Sequence, residues 1–243
     1  MSDQRVEILG AEPGKQGSNL AHLHDPKTGQ YFTLGFPGSE RYFDGVKKVH
    51  DQGFTGKGGK CAILDTGMML DHPLIKRNLA ESVDLTGEGP DDLNGHGTIV
   101  TLLALLTAPD STLLNIKVAG SDGFGDEENL IRGMEIAVEK GAQVMNLSLG
   151  IYHKKWGFLD CKGDCPVCQA AEKASDAGVM IVAAAGNEPG KTYCPAKVGL
   201  VKNCGVFSVA AFNFEKQIVP AYSGIGEFIA PSDGRYPLVP VTD

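Results

Sequence analysis

Five short apolar runs, separated by helix-period stretches and loops, constrain this chain more than any other feature. They are residues 61–64 (CAIL), 113–118 (LLNIKV), 144–149 (VMNLSL), 179–184 (VMIVAA) and 206–211 (VFSVAA). Residues 126–140 carry Leu130, Ile131, Met134, Ala137 and Val138 on one helical face and stop at Gly141. Residues 166–176 open on Pro166, which suits a first helical turn, and end at Gly178. A β-α-β-α rhythm implies parallel strands joined by right-handed crossovers. Such strands are covered on both faces, so they read as apolar throughout rather than alternating. The expected fold is α/β, with three layers: a mostly parallel sheet and helices on both faces.

The remaining segments are less regular. Tyr42, Phe43, Val46 and Val49 recur at spacings of three and four, which predicts a helix over 39–50. Before it, Asp25-Pro26-Lys27-Thr28-Gly29 is a turn signal, and residues 31–34 after it suit a strand. We therefore divide the chain into an N-terminal extension, 1–38, and a main domain, 39–243. The formal charge of −8 argues against nucleic acid as a partner, which would call for a basic face. No run of 18 apolar residues exists, so no membrane span is expected. The first residues lack a basic start followed by an apolar core, so no leader is visible; a cytoplasmic location is the expectation, or secretion if a leader has been removed.

In open parallel sheets, chemistry gathers at the carboxyl ends of strands. Asp65, Ser148-Leu149-Gly150 and Gly186-Asn187 all follow apolar runs and fall at such ends. His96, between Gly95 and Gly97, opens the apolar stretch 99–106 and is expected at the first turn of a buried helix. One cleft could then collect a carboxylate, an imidazole and an amide. A carboxylate fixes the tautomer of an imidazole and steadies its charged form, which makes a general base. An amide donor at the cleft edge can stabilise an oxyanion during acyl transfer.

These stretches together resemble the subtilisin-like serine peptidases, the subtilases. Ala62-Ile63-Leu64-Asp65-Thr66-Gly67, followed by Asp71-His72-Pro73, is similar to the family's aspartate motif, and Asn94-Gly95-His96-Gly97-Thr98 to its histidine motif. Asn146-Leu147-Ser148-Leu149-Gly150 resembles the segment lining the substrate cleft. Ala183-Ala184-Ala185-Gly186-Asn187 resembles the oxyanion-hole motif, and Tyr193-Cys194-Pro195-Ala196 the stretch after it. The resemblance implies a serine endopeptidase working through an acyl-enzyme, in which Asp65 orients His96, His96 activates a serine and Asn187 supplies the oxyanion donor. It implies an extended peptide or protein substrate, bound as an added strand along Ser148, Leu149 and Gly150, with Ala184 and Gly186 beside it. No cofactor is required for that reaction. Calcium is common in the family, but no compact acidic run marks a site here.

The chain departs from the family pattern at the nucleophile. The family order is aspartate, histidine, serine, and no Gly-Thr-Ser occurs in residues 1–243. Ile229-Ala230-Pro231 resembles the approach to the serine motif, after which the sequence runs SDGRYPLVPVTD. By resemblance the serine falls beyond Asp243, in a C-terminal segment or on a second chain. Ser18 and Ser223 precede no buried helix and lack the context of a nucleophile. The alternative is a catalytically inactive subtilase-like module that binds peptides or a partner. Ile99 and Thr101 also stand where the family commonly has histidine and alanine, which should alter helix packing more than chemistry.

Cys161-x3-Cys165-x2-Cys168 falls in an apparent insertion after Gly150. Three closely spaced cysteines suit zinc or an iron–sulfur cluster in ligand type, and a four-ligand zinc site would need Cys194 or Cys204 to join. Disulfides, such as one between Cys194 and Cys204, and free thiols are the other readings. A cysteine count this high hints at an oxidising compartment and so opposes the cytoplasmic expectation. Cys61, inside an apolar run, is expected to be a buried free thiol.

Overall fold

The computed structural model describes residues 7–9, 21–24, 31–34, 39–152, 161–202, 204–213, 216–231 and 240–242. The turn expected over residues 25–29 lies outside them, as does Ser18. The centre is a seven-stranded sheet in the order β11-β10-β9-β7-β4-β6-β5, in which every adjacent pair is parallel. Its strands are β4 (Lys60–Asp65), β5 (Leu79–Asp84), β6 (Thr112–Lys117), β7 (Val144–Leu147), β9 (Met180–Ala184), β10 (Val206–Phe212) and β11 (Phe228–Pro231). Strands β1 (Glu7–Leu9), β2 (Ala21–His24) and β3 (Tyr31–Leu34) form a separate antiparallel sheet. Strand β8 (Gly150–Tyr152) pairs in parallel with β12 (Pro240–Thr242).

The helices are α1 (Ser39–His50), α2 (Pro73–Asn78), α3 (His96–Thr107), α4 (Glu127–Glu139), α5 (Pro166–Asp176) and α6 (Ala196–Lys202). Side chains alternate across the sheet, and the core divides accordingly. Ala62, Leu64, Leu114, Ile116, Met145, Leu147, Ile181 and Ala183 point to the side covered by α4, α5 and α6. Ile63 and Leu113 point to the other side and pack with Leu74 and Ile75 of α2 and Leu102, Leu105 and Leu106 of α3. Burying each of these leucines is worth about 1.5–3 kcal/mol, so both faces are needed to hold the sheet. Among the described residues no helix is long and apolar enough to cross a membrane.

The parallel, doubly covered sheet is the one expected. Two local readings need correction. The apolar run 144–149 does not continue as one strand: β7 ends at Leu147, where the Asn146 amide donates to Ser148 Oγ at 2.9 Å, and β8 begins at Gly150. Cys61 is only partly buried, although burial pushes its thiol up to about 11. Thr101 is fully buried and its hydroxyl donates to the Gly97 carbonyl at 2.7 Å, so α3 accepts it without a stranded polar group, while Ile99 faces solvent.

Candidate active site

Asp65 is the last residue of β4, and His96 is the first of α3. The helix begins there because Gly95 takes a left-handed conformation at its N-cap, with φ +101°. The His96 Nδ1 donates to Asp65 Oδ1 at 2.7 Å. Asp65 is 2% exposed and His96 20%. The Thr66 N–H also donates to Asp65 Oδ1, at 2.7 Å, whereas Asp65 Oδ2 is buried with no partner among the described residues. Burial pushes the His96 pKa down, but the hydrogen bond and charge of Asp65, with the charge of Asp92, outweigh it and hold the pKa above the ordinary histidine value.

A second carboxylate builds this arrangement, and sequence reading passed over it. Asp92 lies three residues before the N-cap of α3. Its Oδ1 accepts from Thr66 Oγ1 (2.9 Å), Asn94 N (3.0 Å) and Gly95 N (2.8 Å), and its Oδ2 from Thr98 N (2.8 Å) and Thr98 Oγ1 (2.6 Å). It therefore caps α3 from a distance and ties it to the loop after β4. Burial raises the Asp92 pKa, but the bonds from Thr98, Gly95 and Thr66 prevail and hold its carboxyl below the usual range. Thr66 completes the tie, accepting from Gly97 N at 3.0 Å. The contact is so close that a Cβ on Gly97 would lie 2.1 Å from the Gly67 carbonyl oxygen.

Lys117, paired with Asp65 across β4 and β6, is also fully buried. Its Nζ donates to the Asp91 carbonyl at 3.0 Å and meets Glu88 at 3.2 Å, which anchors the loop that carries Asp92. An apolar-run search treats such a lysine as an interruption and misses this use.

The other expected residues lie on the same carboxyl edge. In the sheet β7 stands between β4 and β9, so the end of β9 lies two strands, about 10 Å, from Asp65. Asn187 follows that end through Ala184, Ala185 and Gly186. Gly186 has φ +99°, and a Cβ there would meet the Tyr193 ring at 2.5 Å. The same ring faces Gly150, where a Cβ would lie 2.8 Å from Tyr193 Cβ. Tyr193 is thus a brace between two segments of the cleft wall, and sequence reading gave it no separate role. Leu149 is buried, and Ser148 accepts from Asn146 as described.

Gly150 opens a strand that has neighbours on both edges. Strand β8 pairs with β12 on one edge, and on the other Ile151 N donates to the Cys194 carbonyl at 2.9 Å. The stretch starting at Gly150 is thus already flanked, and Ser148 and Leu149 precede it outside any strand. Ser223 is a turn residue: its Oγ accepts from Ala211 N at 2.9 Å and donates to the Gly224 carbonyl at 3.0 Å.

No disulfide joins any of the six cysteines, so the Cys194–Cys204 bridge is not formed. Cys161, Cys165 and Cys168 do come together, and Cys194, not Cys204, joins them.

Comparison with known proteins places these features in context. Residues 56–232 match the profile of the Subtilase family, peptidase family S8. The chain is 43% identical over 125 residues to minor extracellular protease Vpr of Bacillus subtilis (strain 168), an alignment covering 44% of this chain and 16% of that protein. It is 33% identical over 207 residues to subtilisin DY of Bacillus licheniformis, covering 79% of this chain and 71% of that one. The chain thus spans about a sixth of the first relative and under three quarters of the second. The crystal structure of a cold adapted subtilisin-like serine proteinase superposes with a TM-score of 0.59 at 22% identity, covering 73% of this chain and 64% of that chain, which supports the fold.

Proposed function

The chain belongs to the subtilase family, and from that premise we propose that it carries the base, its orienting carboxylate and the oxyanion donor of a serine endopeptidase. The 2.7 Å bond between His96 Nδ1 and Asp65 Oδ1 carries this reading. With Nδ1–H held by the carboxylate, Nε2 keeps its lone pair and acts as the base. Nε2 takes the proton as a serine Oγ attacks the peptide carbonyl carbon. The Asn187 amide donates to the oxygen that gains charge. The imidazolium then gives its proton to the departing amine as the C–N bond breaks, and water, activated by the same imidazole, hydrolyses the ester. Every step draws on side chains, water and substrate.

Residues 1–243 contain no Gly-Thr-Ser, and in this reading the serine comes from a downstream segment or a second chain. The substrate is an extended peptide running past Ser148 and Leu149 toward Ala184 and Gly186. The strand β12 beside Gly150 would have to yield to a peptide reaching that residue. The test is a peptidase assay on the protein that includes the serine segment. Activity abolished by His96→Ala supports the reading; activity unaffected by it refutes the assignment.

A further inference from the structure

Four cysteines from separate parts of the chain meet beside the cleft. Cys161 precedes α5, Cys165 is the N-cap of α5, Cys168 lies in its first turn, and Cys194 arrives from the loop between β9 and α6. Every one of the four sulfurs lies within 4.8 Å of the others. Among the described residues no other set of histidines, cysteines or carboxylates converges in this way.

Simple thiol packing does not account for the arrangement. Cys61 and Cys204 are equally free and stay apart from the group. Pairwise disulfides need no mutual closeness among four sulfurs, whereas one tetrahedral ion does. Zn–S bonds of about 2.3 Å put thiolate sulfurs roughly 3.5–4 Å apart, which is compatible with sulfurs that all lie within 4.8 Å of one another. An iron–sulfur cluster has a core of several atoms between its ligands and would hold the sulfurs farther apart.

The N-terminus of α5 suits a thiolate at Cys165. The Cys168 N–H donates to Cys165 Sγ at 3.5 Å, and the helix N-terminus favours negative charge there. Cys168 and Cys194 are buried and Cys161 and Cys165 partly so, which closes the site on its inner side. Four thiolates, tetrahedral and with no position left for water, make a structural site rather than a catalytic one.

We propose that Cys161, Cys165, Cys168 and Cys194 bind one structural zinc ion that clamps the loop carrying Asn187 to the start of α5. The clamp reaches the cleft by two contacts. The Cys194 carbonyl accepts from Ile151 N at 2.9 Å, and the neighbouring Tyr193 ring packs against Gly150 and Gly186. The ion thus holds both the peptide-lining segment and the oxyanion loop in register.

The experiment is metal analysis of the purified full chain, made under reducing conditions without added chelator. One zinc per chain is expected. Cys161→Ser and Cys194→Ser should each lose it, while Cys61→Ser and Cys204→Ser keep it. If either site variant fails to fold, the wild-type chain still decides. Replacing zinc with cobalt should give the strong visible absorption of tetrahedral thiolate coordination. In the folded protein, four of the six cysteines should resist alkylation until chelator is added. Folded wild-type protein that holds no zinc and takes up none, iron with acid-labile sulfide, or disulfides among the four residues would each overturn the proposal.

Discussion

The Asp65 carboxylate at the end of β4 and the His96 imidazole at the start of α3 stand 2.7 Å apart, although 31 residues separate them in sequence. The contact sets the charge on His96, and its consequences can be measured without a nucleophile.

The first prediction concerns that charge. The folded-state pKa of His96 lies above its unfolded value of about 6.5. The protonated form therefore stabilises the fold fully below about pH 6.5, and the contribution is lost as pH rises through the folded pKa. Asp65→Asn removes the main opposition to burial, so the His96 pKa should fall. Titration of the His96 ring by NMR should show a midpoint above 6.5 in the native chain and a lower one in the variant. An unchanged midpoint would mean that Asp65 does not set the charge.

Gly97→Ala should break the site sterically. A methyl group 2.1 Å from the Gly67 carbonyl oxygen cannot be accommodated unless α3 or the loop after β4 moves. Overpacking of this kind costs about 1–3 kcal/mol. Urea denaturation should show that loss, and the shifted helix should lower the His96 pKa as the Asp65 bond lengthens. A variant with native stability and an unshifted His96 would contradict the close approach.

Asp92 is a positioning residue that touches no reacting atom. Asp92→Ala strands the Thr98 and Gly95 N–H groups that its carboxylate now satisfies, and a lost cap of this kind costs about 0.5–2 kcal/mol. It also removes a negative charge that raises the His96 pKa. Lower stability together with a lower His96 midpoint identifies positioning. Lower stability alone would reduce Asp92 to a structural cap.

In the protein that includes the serine segment, the roles should separate by size. Loss of the orienting carboxylate from a serine triad lowers kcat by about 10⁴, and Asp65→Asn should approach that. Asn187→Ala should lower kcat by about 10²–10³ with little change in KM, since an oxyanion donor acts chiefly in the transition state. A change confined to KM would move Asn187 from the chemistry to substrate binding.

Much of this architecture is legible in the residues. Strands β4, β6, β9 and β10 and helices α4 and α5 fall within a residue or two of their apolar runs and helical periods, because doubly covered strands leave no polar face to confuse the pattern. Edge strand β5 is not legible. Its LAESVD is partly exposed and carries Glu81, so it lacks the signature of a buried strand. Helices α2 and α6, at six and seven residues, are too short to show a period. At the site, Asp65 and His96 sit in recognisable motifs. Asp92 does not, since its carboxylate reaches α3 through the path of a loop. Spacing likewise could not choose between Cys194 and Cys204, because only the fold shows which loop returns to Cys168.

Under the proposed function, residues 1–243 supply the base and the oxyanion donor, and a Gly-Thr-Ser segment supplies the nucleophile. Labelling with a fluorophosphonate, which reacts with an activated serine, tests it most directly. Residues 1–243 alone should remain unlabelled. The same residues joined to, or mixed with, the segment bearing Gly-Thr-Ser should label at that serine, and His96→Ala should abolish the reaction. Stoichiometric labelling of residues 1–243 alone would contradict the account, as would failure to label once the serine segment is present.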